Sequence, residues 1–153
     1  PSRMLASALP VEGATLAPVK RMIKIPKKNI EEMISHARQA YPQECCGLLA
    51  GNSGMASDTY RMTNIDQSQF SYLMEPKEQF VALKDMRKKG IEMIAIYHSH
   101  PKTDAEPSIT DIKLAYYPDA YYIILSLAEP MRPDIRAHRI IDGKAEEVGI
   151  TIV

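Results

Sequence analysis

The alternation of hydrophobic and polar residues from position 22 onward predicts a series of short strands and amphipathic helices. Segment 22–25 alternates with a period of two, which is typical of a strand with one buried face. Apolar residues then recur at helical spacing between Lys28 and Tyr41, so the pattern predicts an amphipathic helix. Pro42 follows directly and indicates where that helix ends.

The remaining pattern predicts a mixed β-sheet flanked by helices, which is an α/β (α+β) fold. Asp142-Gly143 is a turn dipeptide and joins the last two strands. In chain order, the expected elements are a buried strand at 45–50, a more exposed strand at 57–64, a helix at 76–89, a central strand at 91–97, a helix at 108–116, and strands at 121–127, 134–141 and 145–152.

Composition narrows the class of protein. A length of 153 residues fits one domain with an ordinary core. The chain has 19 basic and 19 acidic residues, so charge does not favour nucleic acid or an anionic membrane as a partner. Apolar runs fall short of the roughly 18 residues that a membrane span needs. The two cysteines are adjacent, a geometry that rarely permits an intrachain disulfide, and this favours reduced thiols and a cytoplasmic location.

Residues 1–21 differ from the rest of the chain. They are rich in Ala, Pro and Ser and lack periodicity, so we expect a disordered leader or an artificial extension. Met22 could then be the natural first residue. A single domain is expected to occupy residues 22–153.

Two histidines at the end of the central strand are the most informative chemical feature. His98 and His100 point the same way because strand side chains alternate between faces. The turn-rich segment that follows can bring Asp111, near the start of the next helix, beside them. Three protein ligands leave one position for water, which is the arrangement of catalytic zinc, with one ion per chain.

Each of these features also has a simpler structural interpretation. Ser108 to Asp111 resembles a helix N-cap with an acid in the first turn, and both interpretations can hold because a cap fixes the aspartate. A lone His-x-His is usually a surface or core pair. His36 and His138 lack acidic or cysteine neighbours at ligand spacing, so we interpret them as structural or exposed.

Glu44 lies between a helix-ending proline and an apolar strand, where a carboxylate could project into a cleft. The alternative is a solvated loop glutamate. A zinc-activated water requires a carboxylate that removes its proton and returns it to the leaving amine, which favours the functional role. Cys45 and Cys46 are adjacent to it, but a thiol in an apolar strand is usually inert, so we reject a cysteine nucleophile.

These residues together resemble the signature of the JAMM (MPN-plus) metalloproteases: Glu44, His98-x-His100, seven residues, then Ser108-x-x-Asp111. Segments 42–51 and 105–108 are also similar to conserved blocks of that family. The resemblance implies a zinc peptidase or isopeptidase whose fold is similar to that of cytidine deaminases. It further implies that His98, His100 and Asp111 bind zinc with water as fourth ligand, that Glu44 is the general acid/base, and that Ser108 stabilises the oxyanion.

The resemblance extends to the compact prokaryotic members, because the long insertion of ubiquitin-chain-specific relatives is absent. It implies a substrate that is a ubiquitin-like or sulfur-carrier protein, cut after its C-terminal Gly-Gly. Segment 70–77 resembles the stretch before the second helix in those members, and Phe70, Tyr72 and Met74 could line a groove for the tail. The tail would be held by strand addition. Oligomeric state stays open.

Two rival functions follow from the same pattern. A catalytically inactive scaffold or protein-interaction domain of this fold would normally have lost metal ligands, whereas the full set is present here. A nucleobase deaminase needs a His-x-Glu motif and a Pro-Cys-x-x-Cys pair, which Cys45 and Cys46 do not supply.

Overall fold

The structure, a computed structural model, describes residues 22–153, so the expected disordered leader at 1–21 lies outside the described residues. The described part of the chain forms seven strands and three helices. In chain order these are β1 Met22–Ile25, α1 Lys27–Ala40, β2 Cys46–Asn52, β3 Met55–Met62, α2 Pro76–Lys89, β4 Glu92–His100, α3 Ile109–Lys113, β5 Tyr121–Ser126, β6 Asp134–Ile141 and β7 Lys144–Ile152.

The strands form one mixed sheet, as the sequence predicts, and their order in it is β1-β3-β2-β4-β5-β6-β7. The sheet closes on itself because β1 pairs in parallel with both β3 and β7. β4 and β5 are also parallel, and the remaining pairs are antiparallel. The parallel β4–β5 pair requires a crossover connection, and that connection contains α3.

Alternate residues of the central strands pack into two separate hydrophobic cores. On one face, Leu49 and Tyr97 pack in the core that contains Met33 of α1. On the other face, Leu48 and Ile96 pack in the core that contains Met86 of α2. Because side chains alternate along β4, its next even-numbered residues after Ile96 also face the α2 side. That alternation brings both histidines of the candidate site to one face.

The structure corrects two predicted boundaries near the site. β4 continues to His100, beyond the expected end at residue 97. α3 ends at Lys113, whereas the pattern predicts a helix to residue 116. Its continuation is replaced by tighter turns in which the amide of Ala115 donates to the carbonyl of Ile112. Pro118 disfavours helical geometry at Tyr117, which is buried, and the chain turns inward there.

No helix within residues 22–153 is long and apolar enough to cross a membrane.

Candidate metal centre and active site

Three side-chain atoms from β4 and α3 converge on one point. The Nε2 atoms of His98 and His100 are 3.2 Å apart. Oδ2 of Asp111 lies 3.2 Å from Nε2 of His98 and 3.0 Å from Nε2 of His100. Both rings are buried and Asp111 is largely covered. The structure thus brings together the three residues that the sequence motif singles out as ligands.

The orientation of the His100 ring is determined by a backbone carbonyl. Nδ1 of His100 lies 2.6 Å from the carbonyl oxygen of Asp104, which can only accept a hydrogen bond. Nδ1 of the neutral ring therefore carries the proton, and Nε2 presents its lone pair to the Asp111 carboxylate. Two electron-rich atoms facing each other at this distance require a proton or a metal ion between them. A backbone carbonyl that accepts a hydrogen bond from the other ring nitrogen is typical of a metal-binding histidine.

His98 is positioned in a different way. Its Nδ1 is buried and has no hydrogen-bond partner among residues 22–153. Instead, the Tyr72 ring stacks on the imidazole with centroids 4.7 Å apart and an interplanar angle of 29°. Tyr72, expected to line a substrate groove, thus contacts His98 directly. Packing, rather than a hydrogen bond, holds the His98 ring.

Asp111 is oriented by the start of α3. Oγ of Ser108 accepts a hydrogen bond from the Asp111 amide at 3.0 Å, and Oδ2 of Asp111 accepts one from the Ser108 amide at 2.9 Å. This reciprocal pair is a capping box. The cap and the ligand role therefore coexist, and the Ser108 hydroxyl still has its own proton to donate.

The size of the ligand triangle fits a zinc ion. Zinc holds nitrogen and oxygen ligands at about 2.0–2.2 Å, which places neighbouring ligand atoms of a tetrahedral site about 3.3 Å apart. The observed separations of 3.0–3.2 Å are close to that value. Two imidazoles and one carboxylate form a donor set that suits zinc and leaves one tetrahedral position for water.

Glu44 lies beside this triangle because of the pairing between β2 and β4. Cys46 is opposite His98 in the antiparallel register, so two more residues place Glu44 next to His100. The Glu44 amide donates to the carbonyl of Ser68 at 2.8 Å, which fixes the main chain. The side chain is buried, and its Oε1 has no hydrogen-bond partner among the described residues. The solvated-loop alternative for this residue is therefore wrong.

The two carboxyl groups of the site have opposite electrostatic properties. Burial raises the pKa of Glu44 to about 8, with the nearby Asp111 charge acting in the same direction. Burial also disfavours the charge on Asp111, but when a proton lies between it and the facing ring nitrogens, the hydrogen bonds from His100 and His98 outweigh burial and hold the pKa of Asp111 well below its usual range. Burial lowers the pKa of His98. The site thus contains a carboxylate that stays ionised and a second carboxyl that can exchange a proton near neutral pH.

A cavity of about 250 Å³ opens beside Glu44 and His100. Phe70 lines it and is 81% exposed, as expected for a residue that meets a substrate. Met74 instead packs in the core with Met86, so the structure does not place it in the groove. The other lining residues are Gln69, Lys102, Thr103, Ser108 and Thr110.

Sequence reasoning did not identify the residues that support the ligands. The Asp104 carbonyl and the Tyr72 ring act on the histidines through backbone and packing geometry, which no motif spacing encodes. His36 is structural, since its Nδ1 lies 2.7 Å from the Tyr97 hydroxyl. Cys45 and Cys46 are buried, and burial raises the pKa of Cys45 to about 11, which makes both poor nucleophiles.

Comparisons with known proteins agree with this fold. Residues 26–141 match the family described as prokaryotic homologs of the JAB domain, and the chain belongs to that family. The resemblance to compact prokaryotic JAMM proteins is therefore confirmed.

Two relatives of this chain carry names that state an activity. The CysO-cysteine peptidase of Mycobacterium tuberculosis is 38% identical over 126 residues, which cover 81% of this chain and 86% of the relative. The desampylase of Haloferax volcanii is 30% identical over 131 residues, covering 80% and 90%. The solution structure of protein DSY2949 from Desulfitobacterium hafniense is 44% identical, with a TM-score of 0.80 and coverage of 86% and 93%.

Proposed function

We propose that this chain is a zinc-dependent peptidase or isopeptidase that cuts after the C-terminal Gly-Gly of a ubiquitin-like or sulfur-carrier protein. The observation that carries the proposal is the convergence of His98, His100 and Asp111 at 3.0–3.2 Å beside a buried, unpartnered Glu44. The names of the relatives support this class of substrate, since they include a peptidase named for CysO-cysteine and a desampylase.

The chemistry divides between the metal and the protein. A zinc ion held by the three ligands would polarise the scissile carbonyl and lower the pKa of a coordinated water to about 7. Glu44 accepts the proton of the attacking water and returns it to the leaving amine. A carboxyl with a raised pKa suits both transfers, because it can hold a proton and release it near neutral pH.

In this proposal, the hydroxyl of Ser108 donates a hydrogen bond to the oxyanion. Its Oγ accepts from the Asp111 amide, so its own O–H can point into the cavity and donate. An oxyanion gains most from a donor that is already oriented, and the capping box orients this one. The same two hydrogen bonds that hold the ligand Asp111 thus hold the oxyanion donor.

The shape of the site restricts where the C-terminal tail of the carrier substrate can bind. In this proposal the walls of the cavity, rather than an edge of the closed sheet, define the path of the tail. We place it along segment 68–72, between Phe70 and the Ser108 side of the cavity. A narrow cavity favours glycine, since larger side chains would meet these walls. Main-chain hydrogen bonds would then hold an extended chain.

A carrier with a C-terminal Gly-Gly and an added amino acid tests the substrate. We expect zinc-loaded protein to release the amino acid and leave the diglycine on the carrier, as measured by intact mass. A matched carrier with Val in place of the last Gly should be cut at least tenfold more slowly. Equal cleavage of both tails, or no cleavage of either while an unrelated peptide is cut, would contradict the proposed specificity.

A further inference from the structure

A second group of possible ligands lies on β6 and β7, apart from the catalytic centre. His138 of β6 is directly opposite Glu147 of β7 in the antiparallel register. Its ring is 1% exposed, and neither ring nitrogen has a hydrogen-bond partner among the described residues. Burying an imidazole without a hydrogen-bond partner is energetically unfavourable.

Two carboxylates surround this ring. Oε2 of Glu106 lies 3.7 Å from Nε2 of His138. One ligand atom from each of Glu106, His138 and Glu147 lies within 4.8 Å of the others. The buried ring therefore faces two acidic side chains from separate elements, one in the loop after β4 and one on β7.

Arg136 donates hydrogen bonds to only one oxygen of each of these carboxylates. Nη1 of Arg136 donates to Oε1 of Glu106 at 3.2 Å and to Oε1 of Glu147 at 3.1 Å. Arg136 therefore does not explain the unpartnered His138 nitrogens. Burial lowers the pKa of His138, although the charges of Glu106 and Glu147 act in the opposite direction, and the lowered pKa favours the neutral ring, which is the form that binds metal ions.

We propose that Glu106, His138 and Glu147 form a second binding site for a divalent metal ion of the zinc class. One imidazole and two carboxylates suit Zn²⁺, which accepts nitrogen and oxygen ligands together. The ligand atoms must approach one another by on the order of 1 Å to reach coordination distances. Glu106 and Glu147 can make this movement, because their side chains are 51% and 52% exposed.

Glu106 links the proposed second site to the chain segment that supports the catalytic centre. Glu106 lies in the 101–107 connection, which carries the Asp104 carbonyl that orients His100 and leads to the Ser108 cap. An ion shared by Glu106 and β6–β7 would fasten that connection to the sheet. We expect this site to bind more weakly than the catalytic centre, whose ligand atoms are already at tetrahedral separations.

Titration of the metal-free full chain with Zn²⁺ tests the site. We expect two classes of binding, of which the weaker is lost or weakened at least tenfold in Glu106→Gln and in Glu147→Gln. Both substitutions are on half-exposed side chains and preserve shape. Glu146→Gln is the matched control, because Glu146 is the exposed neighbour opposite Arg139 and should keep both classes. Asp111→Asn should lose the tighter class and keep the weaker one.

Ring-nitrogen NMR identifies the ligand directly, since the chain has four histidines. The His138 signals should shift with the second equivalent of Zn²⁺, after those of His98 and His100. A natural chain that binds one equivalent only would overturn the proposal. So would a second class that persists unchanged in both glutamine variants, since that binding would lie elsewhere.

Discussion

The carboxyl group of Glu44 is buried without a full set of hydrogen-bond partners. Oε1 has no partner within residues 22–153, and burial raises the pKa of the group to about 8. A glutamate in such a place weakens the metal-free protein, which is typical of residues retained for chemistry rather than stability. The sign of the shift makes this testable without any substrate.

The metal-free protein should become less stable as pH rises. The pKa of Glu44 is raised from 4.5 to about 8, so the stabilisation that protonation provides is complete below 4.5 and is lost as pH rises through about 8. Chelator-treated natural chain and Glu44→Gln, unfolded by denaturant between pH 5 and pH 9, provide the comparison. We expect the variant to gain relative stability with pH, on the order of a few kcal/mol. Parallel stability curves would contradict this environment for Glu44.

Substitution can separate the observed capping role of Ser108 from its proposed oxyanion role. Ser108→Ala should reduce the rate of cleavage about 10²–10³-fold through loss of an oxyanion donor. It should also lower the free energy of unfolding by about 1 kcal/mol through loss of the cap. Ser108→Asp keeps a good capping residue but has no hydroxyl to donate. We expect it to retain stability and lose cleavage; full cleavage by Ser108→Asp would remove the oxyanion role.

At the scale of elements, the junction of β2 and β4 positions the site. Gly47 is paired with Tyr97, and a Cβ at Gly47 would overlap the Tyr97 ring. The absence of a side chain lets the ring lie across β2 and reach His36. The register of these two strands is what places Glu44 beside His100.

Gly47→Ala should therefore destabilise the fold by about 1–3 kcal/mol or more, since the clash is with a buried ring. Thermal or denaturant unfolding measures the loss. In a Tyr97→Leu background the same substitution should cost much less, because the ring is gone. An equal cost in both backgrounds would show that overlap with Tyr97 is not the cause.

Hydrophobic periodicity predicts most elements here, because β2, β4 and β5 are mostly buried on both faces and the two long helices are amphipathic. It places the end of β4 too early, since His98 and His100 are polar residues inside a strand. It overextends α3, because Ala115 has helical spacing from Ile112 but packs on the core from a turn beyond the helix. The ligands could be predicted from their spacing, whereas Tyr72, Asp104 and the cluster at His138 depend on long-range contacts.

At the scale of the molecule, the candidate metal centre lies between β4 and α3, which the 101–107 connection links. Closing that connection with an ion should stabilise the folded chain by about 2.7 kcal/mol when free zinc is about 100 times its dissociation constant. Unfolding in buffered zinc and in chelator measures the difference. Asp111→Asn should lose most of it, and Asp119→Asn, an exposed aspartate beyond α3, should not. A gain that persists in Asp111→Asn would place the stabilising ion elsewhere.

The central claim is that three residues hold the metal while Glu44 moves the proton. Cleavage of a Gly-Gly-extended carrier by Glu44→Gln, with bound zinc measured in the same samples, tests it most directly. We expect Glu44→Gln to bind zinc as the natural chain does and to lose cleavage by at least 10²-fold. Zinc-loaded Glu44→Gln that cuts the carrier at the natural rate would contradict the account.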